Sequence, residues 1–327
     1  MAPNIIVFLK IVLSLILGFF LSLKFTKKII EISKKRNASQ IERHYLDNHI
    51  AKEGTPTMGG IAFVLASLIS FFICNGFNMV NSKTLSVIFA YICFFIVGVI
   101  DDYLKLKTKK YGGLKGSIRI ILEITICMYS ILILKGSGFS LDKLYIPLLR
   151  DFISASFLFI PIFVFVLVGT ANSINLTDGL DGLASGLSMI AFSPFILIGL
   201  LSYNYQLTLL LTSTVGALIG FLYFNFHPAK IFMGDCGSLA LGALLGLTSI
   251  VLESEFVLAT AGIVFVLETL SVIIQVIYYK LTKKRIFLMS PLHHHFEKKG
   301  WQEWKVVMVF YLVGCFASII AIIIEVI

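Results

Sequence analysis

The sequence predicts an all-α, polytopic integral membrane protein of about ten transmembrane helices. Hydrophobic residues make up 58% of its 327 residues, charged residues only 14%, and the mean hydropathy is +0.95. A soluble fold of this length does not need so much apolar surface, whereas a helix that crosses a bilayer needs about 20 apolar residues. We expect a single transmembrane helical domain over residues 1–327. The predicted spans lie near residues 3–23, 58–75, 83–100, 118–134, 154–170, 181–199, 206–222, 237–252, 256–279 and 305–326.

Basic residues are concentrated in alternate connections between these spans. Of the 27 Lys and Arg residues, eight lie within residues 24–54, six within 101–119 and seven within 280–305, and Lys230 precedes the eighth span. Positively charged loops stay on the cytoplasmic side of a membrane, so both chain termini are predicted to lie outside. The same residues contact anionic lipid, and the net charge of +9 therefore does not indicate nucleic-acid binding.

Three segments bear on where the helices begin, bend and end. The first span lacks a preceding basic region and a small-residue cleavage site, so we expect it to be retained rather than removed as a signal peptide. Pro161, in the middle of the fifth span, predicts a kink, which either opens a groove to lipid or has no such role. Residues 280–290 mix basic and apolar side chains. They predict either a helix lying in the membrane interface or a basic end to the ninth span.

Two adjacent carboxylates, Asp101 and Asp102, follow the apolar run that ends at Ile100, and Lys105 comes shortly afterwards. Such carboxylates repel each other, and they are costly to desolvate near lipid. A divalent cation or a lysine is therefore expected to compensate their charge. The alternative is a helix end that is fully solvated.

Four polar residues recur every three positions before the sixth span. This spacing, on a helix end or in a tight turn, places the side chains on one face. Amides bind hydroxyl groups and carboxylates bind imide or ribose donors, so the pattern predicts a site for a hydroxylated, phosphorylated ligand. N-capping of the sixth span would explain one of these residues but not all of them. The four are Asn172, Asn175, Asp178 and Asp181.

Asp235 directly precedes the eighth span. Its carboxylate either caps that helix or binds Mg²⁺, which prefers one or two carboxylates together with water and substrate phosphates. Phe232 is a candidate for stacking on a base, although a phenylalanine at the membrane interface is usually just buried. Asn225 lies a few residues upstream.

Two further segments predict phosphate binding. The run His293, His294 and His295 follows Pro291, and consecutive residues rarely direct their side chains at one ion. Phosphate binding or substrate orientation is therefore favoured over zinc ligation. Residues 52–60 include Lys52 and Thr57 and are typical of a glycine-bearing phosphate loop, although they do not form a Walker sequence.

Taken together, these motifs resemble the bacterial phospho-N-acetylmuramoyl-pentapeptide transferases, the MraY translocases. The Asp-Asp, Asn/Asp and Met-Gly-Asp motifs are similar to those of the wider superfamily of polyprenyl-phosphate N-acetylhexosamine-1-phosphate transferases. Pro-Thr-Met-Gly-Gly and His-His-His-Phe-Glu resemble this branch specifically. The matching stretches run from the first cytoplasmic loop to the last and comprise residues 52–60, 98–105, 172–184, 225–238 and 291–297.

The resemblance implies a Mg²⁺-dependent, multi-pass enzyme of the bacterial inner (plasma) membrane, with its active site facing the cytoplasm. The implied reaction transfers phospho-MurNAc-pentapeptide from UDP-MurNAc-pentapeptide to undecaprenyl phosphate and gives lipid I and UMP. This is the first membrane step of peptidoglycan synthesis. Family members are typically homodimers, so we expect a homodimer.

The resemblance also implies residue roles. Asp235 is the expected Mg²⁺ ligand, and Asp101 and Asp102 are expected on the lipid-phosphate side. Lys105 is expected to offset the charge of the lipid phosphate, and His294 is the remaining catalytic candidate. The expected substrate-binding residues are Lys52, Thr57, Asn172, Asn175, Asp178, Asp181, Asn225, Phe232, Gln275, His293 and His295.

Two other functions are weighed against this one. A sibling transferase would move GlcNAc-1-phosphate to a polyprenyl phosphate, but the histidine run and residues 56–60 count against it. An anion transporter would place polar residues near the bilayer midplane and between repeats, whereas Glu268 is the main mid-span charge and the sequence shows no repeat. Within the transferase reaction, both a single displacement and a covalent aspartyl-phosphate route are open.

Overall fold

The computed structural model describes residues 3–35, 54–76, 78–108, 112–147 and 149–326. These residues form twelve α-helices and one short antiparallel hairpin, β1 (Lys143–Ile146) with β2 (Asp151–Ser154). The helices are α1 (Pro3–Lys35), α2 (Gly60–Asn75), α3 (Ser82–Thr108), α4 (Gly116–Gly136), α5 (Phe159–Thr177), α6 (Leu183–Leu201), α7 (Tyr205–Asn225), α8 (Asp235–Val251), α9 (Glu255–Ala261), α10 (Ile263–Thr282), α11 (Leu292–Lys298) and α12 (Glu303–Val326).

Each of the ten predicted spans contains a helix, which confirms the prediction of a helical, multi-pass membrane protein. Within the described residues, eight helices are long and apolar enough to cross a membrane: α1, α3, α4, α5, α6, α7, α10 and α12. The other two, α2 and α8, are apolar but shorter. The predicted ninth span, 256–279, is divided at Gly262 into α9 and α10. The hairpin between α4 and α5 was not predicted.

Helix α8 forms the centre of the bundle. Every residue from Cys236 to Val251 is buried, and the helix packs against α3, α5 and α2. A helix that is apolar on all sides is stable only when it is surrounded in this way. The first residue of α8 is Asp235, so this carboxylate stands on the most completely enclosed helix of the described structure.

Small residues bring α8 close to its neighbours at the end that carries Asp235. A Cβ atom at Gly98 of α3 would overlap the carbonyl oxygen of Asp235, and one at Gly60 of α2 would overlap the backbone of Gly237. Small residues allow such close backbone approach between helices in membranes. The packing therefore sets the C-terminal part of α3 against the N-terminus of α8.

Two local predictions are wrong. The third span was predicted to end at residue 100, whereas α3 continues to Thr108 and contains Asp101 and Asp102. Pro161 lies in the first turn of α5, where the missing N–H has no helical partner in any case, so the mid-helix kink does not follow. Residues 283–291 contain no helix, so the interfacial helix is not formed and the basic end of α10 is the correct alternative.

Candidate active site

The ends of α3, α5 and α8 bring the predicted polar residues together. Carboxylate oxygens of Asp101, Asp102 and Asp235 lie within 4.8 Å of one another. Asn175, near the end of α5, donates from Nδ2 to Asp235 Oδ1 at 3.1 Å. Side chains from three separate motifs, up to 134 positions apart in the chain, therefore meet in one place.

Asp102 holds the N-terminus of α8. Its Oδ1 accepts the backbone N–H of Asp235 at 3.1 Å, and its Oδ2 accepts that of Cys236 at 3.0 Å. The first N–H groups of a helix have no partner within the helix, and the helix dipole favours a negative charge there. The cap of α8 thus comes from α3, and the side chain of Asp235 is left to make other contacts.

Asp101 binds a loop and a lysine. Its Oδ1 accepts the backbone N–H of Leu114 at 2.7 Å. Its Oδ2 pairs with Lys105 Nζ at 2.6 Å, and the same ammonium lies 3.0 Å from Asp235 Oδ2. The expected compensation of the carboxylates by a lysine is therefore present in the structure.

Asp235 has a second cationic partner that the sequence analysis missed. Arg119 of α4 donates from Nη1 to Asp235 Oδ2 at 3.2 Å and from Nη2 to the side-chain oxygens of Asn172 and Asn175 at 2.9 and 3.2 Å. Its Nε donates to Glu123, which is fully buried. The sequence analysis placed Arg119 among the basic residues at the start of the fourth span and Glu123 inside that span. Glu123 could have been recognised as a site residue, because a carboxylate inside an apolar span usually marks a functional site.

Asp178 directly follows the last residue of α5 and lies beside the cluster of Asp101, Asp102 and Asp235. Burial raises the pKa of this carboxyl group well above its ordinary value, and the negative charges of Asp235 and Asp102 raise it further. A hydrogen bond from the backbone of Gly234 opposes these effects in part. Asp178 therefore keeps its proton to a higher pH than an exposed aspartate does.

Asp181 and Asn225 fix the backbone around the site. Asp181 Oδ2 accepts the N–H of Ala229 at 3.0 Å and lies 3.1 Å from His227 Nδ1, and the N–H of Asp181 donates to Glu303 at 2.6 Å. Asn225 donates to the carbonyl of Ile231 at 3.0 Å. These contacts join the start of α12 to the loops before α6 and α8. Glu303 was not singled out in the sequence.

A short backbone ladder attaches the segment before α2 to the loop before α8. Phe232 donates its N–H to Pro56 O at 2.8 Å and accepts that of Gly59 at 2.9 Å. Thr57 lies between these two contacts, and its buried Oγ1 has no hydrogen-bond partner among the described residues. The predicted contact of Lys52 falls outside the described residues.

The three consecutive histidines have three different partners. His293 is buried, and its Nδ1 lies 3.1 Å from Glu268 Oε2, whereas His294 Nδ1 lies 2.7 Å from Glu297 Oε2. His295 Nδ1 accepts the N–H of Leu288 at 3.1 Å. The three Nδ1 atoms are therefore engaged by separate partners, although the rings of His293 and His294 lie 4.2 Å apart between centroids.

The irregular segment 283–291 is held from both sides. Gln275 Oε1 accepts the N–H groups of Ile286 and Phe287 at 3.1 and 3.0 Å, and His295 accepts that of Leu288. Slight burial and the charge of Lys299 lower the pKa of His295. A neutral imidazole is required there, because Nδ1 can accept a hydrogen bond only when it carries no proton.

Replacement of His293 by alanine should destabilise the protein by about 3 kcal/mol. Glu268 is fully buried, and its Oε2 pairs with the imidazole, so removal of the ring leaves a buried carboxylate without that partner. Thermal unfolding in detergent measures the loss. His295→Ala is the matched control, with a smaller expected effect because His295 is only partly buried. The double variant Glu268→Leu/His293→Leu should recover stability, and a further additive loss would contradict the pairing.

Known protein families and curated proteins match most of this chain. The model of glycosyl transferase family 4 matches residues 84–253, and signature 1 of the phospho-N-acetylmuramoyl-pentapeptide-transferases matches residues 52–64. Curated proteins similar to the chain include three called phospho-N-acetylmuramoyl-pentapeptide-transferase. The protein from Wolbachia sp. subsp. Drosophila simulans is 41% identical over 94% of this chain and 96% of its own length. The protein from Lactobacillus gasseri is 44% identical over the same shares, and that from Geobacillus sp. is 40% identical over 96% and 98%.

Proposed function

Because this chain belongs to the phospho-N-acetylmuramoyl-pentapeptide-transferase family, we propose that its reaction takes place at Asp101, Asp102 and Asp235. The enzyme transfers phospho-MurNAc-pentapeptide from UDP-MurNAc-pentapeptide to undecaprenyl phosphate and forms lipid I and UMP. This assignment sets aside the sibling transferase and the anion transporter. The observation that carries the proposal is the meeting of three carboxylates with two cationic side chains, Lys105 and Arg119.

Asp235 is the proposed Mg²⁺ ligand. The neighbouring donors are carboxylate oxygens, which Mg²⁺ prefers, so the residues fit this ion. Both oxygens of Asp102 accept backbone N–H groups, whereas Asp235 Oδ2 is paired with the side chains of Lys105 and Arg119, which can turn away. When bound, Mg²⁺ supplies positive charge that stabilises the departing UMP.

Lys105 is proposed to bind the acceptor phosphate. The reaction brings two anions together, so catalysis consists mainly of positioning and charge neutralisation. Asp101 fixes the ammonium of Lys105 and is itself tied to the backbone of Leu114. We infer a single displacement in which Asp101 and Lys105 place the lipid phosphate for attack. A trapped phosphosugar on an aspartate would contradict this route.

Replacement of Asp101 by asparagine should lower kcat by a similar factor at every pH between about 6.5 and 9. A phosphate monoester has its second pKa near ~6 and is already mostly dianionic in this range, so the acceptor needs little help from a base. Asparagine retains an oxygen for Leu114 but loses the ion pair with Lys105. The pH profile of UMP release measures the effect, with the exposed Asp142→Asn as control. A defect that disappears at high pH would instead assign the base role to Asp101.

The uridine and ribose are proposed to bind along Asn172, Asn175, Asp178, Asp181 and Phe232. The raised pKa of Asp178 supports a role as hydrogen-bond donor to the ligand. Asn172 is held by Glu123 and Asn175 by Ser238, which supports their role as fixed amide partners of hydroxyl groups.

The remaining predicted residues are proposed to contact the rest of the donor, either directly or through the backbone that they hold. Thr57, with its unpartnered hydroxyl, is proposed to contact substrate directly. Asn225 and Gln275 hold loop backbone, which supports a positioning role. The others proposed to act here are Lys52, His293, His294 and His295.

The membrane arrangement and assembly are also proposals. The distribution of basic residues supports an active site at the cytoplasmic face of the plasma membrane, with both termini outside and all of residues 1–327 in one domain. Labelling of a cysteine introduced near the end of α12, from outside intact cells, tests the orientation. Crosslinking of the purified protein tests the proposed homodimer.

The enzyme assay that tests the function measures UMP release in detergent, with undecaprenyl phosphate and Mg²⁺. UDP-MurNAc-pentapeptide and UDP-GlcNAc are offered separately. Release is expected from the muramoyl donor alone. Release from UDP-GlcNAc alone would contradict the proposed donor specificity.

A further inference from the structure

Arg119 uses all three guanidinium nitrogens within the candidate active site. Nε donates to Glu123, Nη1 to Asp235, and Nη2 to both Asn172 and Asn175. A basic side chain in the first turn of a membrane helix usually extends to the interface, whereas that of Arg119 turns into the site. Its side chain is only 16% exposed, so these contacts replace most of its hydration.

Glu123 anchors one end of this guanidinium. The carboxylate lies one helical turn from Arg119 on α4 and is fully buried. Oε1 accepts from Arg119 Nε at 3.0 Å, and Oε2 accepts from Asn172 Nδ2 at 2.8 Å. Because Arg119 and Glu123 share a helix, this carboxylate stays within reach when the planar guanidinium rotates as a unit away from Asp235.

Arg119 and a metal ion would compete for one oxygen atom. Asp235 Oδ2 already has Lys105 Nζ at 3.0 Å and Arg119 Nη1 at 3.2 Å. A Mg²⁺ ion binds a carboxylate oxygen at about 2.0–2.1 Å, where it would repel both cations and displace their N–H groups. A displaced guanidinium then has free donors beside the cluster, in the fork geometry that suits phosphate.

We propose that Arg119 makes metal binding and diphosphate binding cooperative. In the free protein the guanidinium neutralises Asp235 and weakens its affinity for a divalent cation. A nucleotide diphosphate offers Arg119 another anionic partner, so the guanidinium leaves Oδ2 and the cation binds more tightly. By linkage, the metal strengthens diphosphate binding by the same factor. This inference rests on the proposed metal site at Asp235.

The test measures Mn²⁺ binding to the full-length protein in detergent by electron paramagnetic resonance, with and without UDP. Arg119→Gln should bind Mn²⁺ at least about fivefold more tightly than the wild type when UDP is absent, and UDP should increase its Mn²⁺ affinity by a smaller factor. Arg119→Met, a neutral side chain of similar length, should behave in the same way. Arg150→Gln, in the exposed hairpin, is the matched control and should resemble the wild type.

The direction of the change in Mn²⁺ affinity distinguishes cooperative binding from a purely structural role of Arg119. If Arg119 only holds Asn172, Asn175 and Asp235 in place, its removal loosens the site and weakens Mn²⁺ binding without UDP. Weaker or unchanged binding in both neutral variants would overturn the proposal.

Asp235→Asn separates failure of this inference from failure of the proposed metal site. If Asp235→Asn retains full Mn²⁺ affinity, the metal site itself is wrong. If Asp235→Asn loses Mn²⁺ and Arg119→Gln does not gain affinity, only the role of Arg119 is refuted.

Discussion

Replacement of Asp235 by asparagine is expected to lower the rate of UMP release by about 10³-fold. A metal ion contributes several kcal/mol of charge stabilisation in such reactions, and about 4 kcal/mol corresponds to this factor. Asparagine removes the negative charge but keeps an oxygen for Asn175. The apolar packing of α8 does not depend on this charge, so the loss should appear in kcat. Asparagine also loses the ion pairs with Lys105 and Arg119, and thermal unfolding in detergent measures that contribution separately.

The matched control for this variant is Asp151→Asn. Asp151 is exposed in β2, and the substitution removes the same charge at a distance from the cluster. Its rate of UMP release should equal that of the wild type. An Asp235→Asn enzyme that retains more than about a tenth of the wild-type rate would be incompatible with metal-dependent charge stabilisation at this position.

Replacement of Asp102 by alanine should destabilise the protein by about 3–6 kcal/mol and abolish activity together with stability. The carboxylate accepts two backbone N–H groups at the start of α8. Hydrogen bonds to a charged group contribute about 1.5–3 kcal/mol each, and the helix dipole adds to them. Thermal unfolding in detergent measures the change.

The comparison for Asp102→Ala is Asp101→Asn, which loses an ion pair that is partly exposed at Lys105 but keeps an acceptor for Leu114. We expect it to unfold close to the wild-type temperature. Equal stability of Asp102→Ala and wild type would show that α8 does not depend on this cap. Asp101 and Asp102 would then not differ in their contribution to stability.

Carboxylates at the membrane boundary could be predicted to form a functional site, because their desolvation costs free energy and such residues are rare there without a function. Asp101, Asp102 and Asp235 each lie next to a long apolar run, where an uncompensated charge is unfavourable. Lys105 was predicted as a partner for the same reason, and the structure pairs it with Asp101 and Asp235. Local sequence was sufficient here because the constraint comes from the membrane.

The partners of these residues depend on how the helices pack, and sequence does not reveal this. Arg119 stands at the edge of a span, where a basic residue usually only sets topology, and its contact with Asp235 arises from the position of α4. Glu268 meets His293 across 25 positions and an irregular segment. Each residue alone gives no sign of its partner.

Helix boundaries were the other source of error. The fifth span was predicted to begin at residue 154, whereas α5 begins at Phe159. Because of this shift, Pro161 lies in the first turn of α5 rather than at a kink in the middle of a helix. Pro194, to which the sequence analysis gave no role, lies in the interior of α6.

The most direct test asks whether Asp235 ligates the metal ion that binds the diphosphate. Electron–nuclear double resonance is measured on Mn²⁺ bound to protein labelled with carbon-13 at its aspartate carboxyl groups, in the presence of UDP. We predict couplings to both carbon-13 and phosphorus-31 in the wild type and in Asp151→Asn, and loss of the carbon-13 coupling in Asp235→Asn. Persistence of the carbon-13 coupling in Asp235→Asn would place the metal on another aspartate and contradict the proposed site.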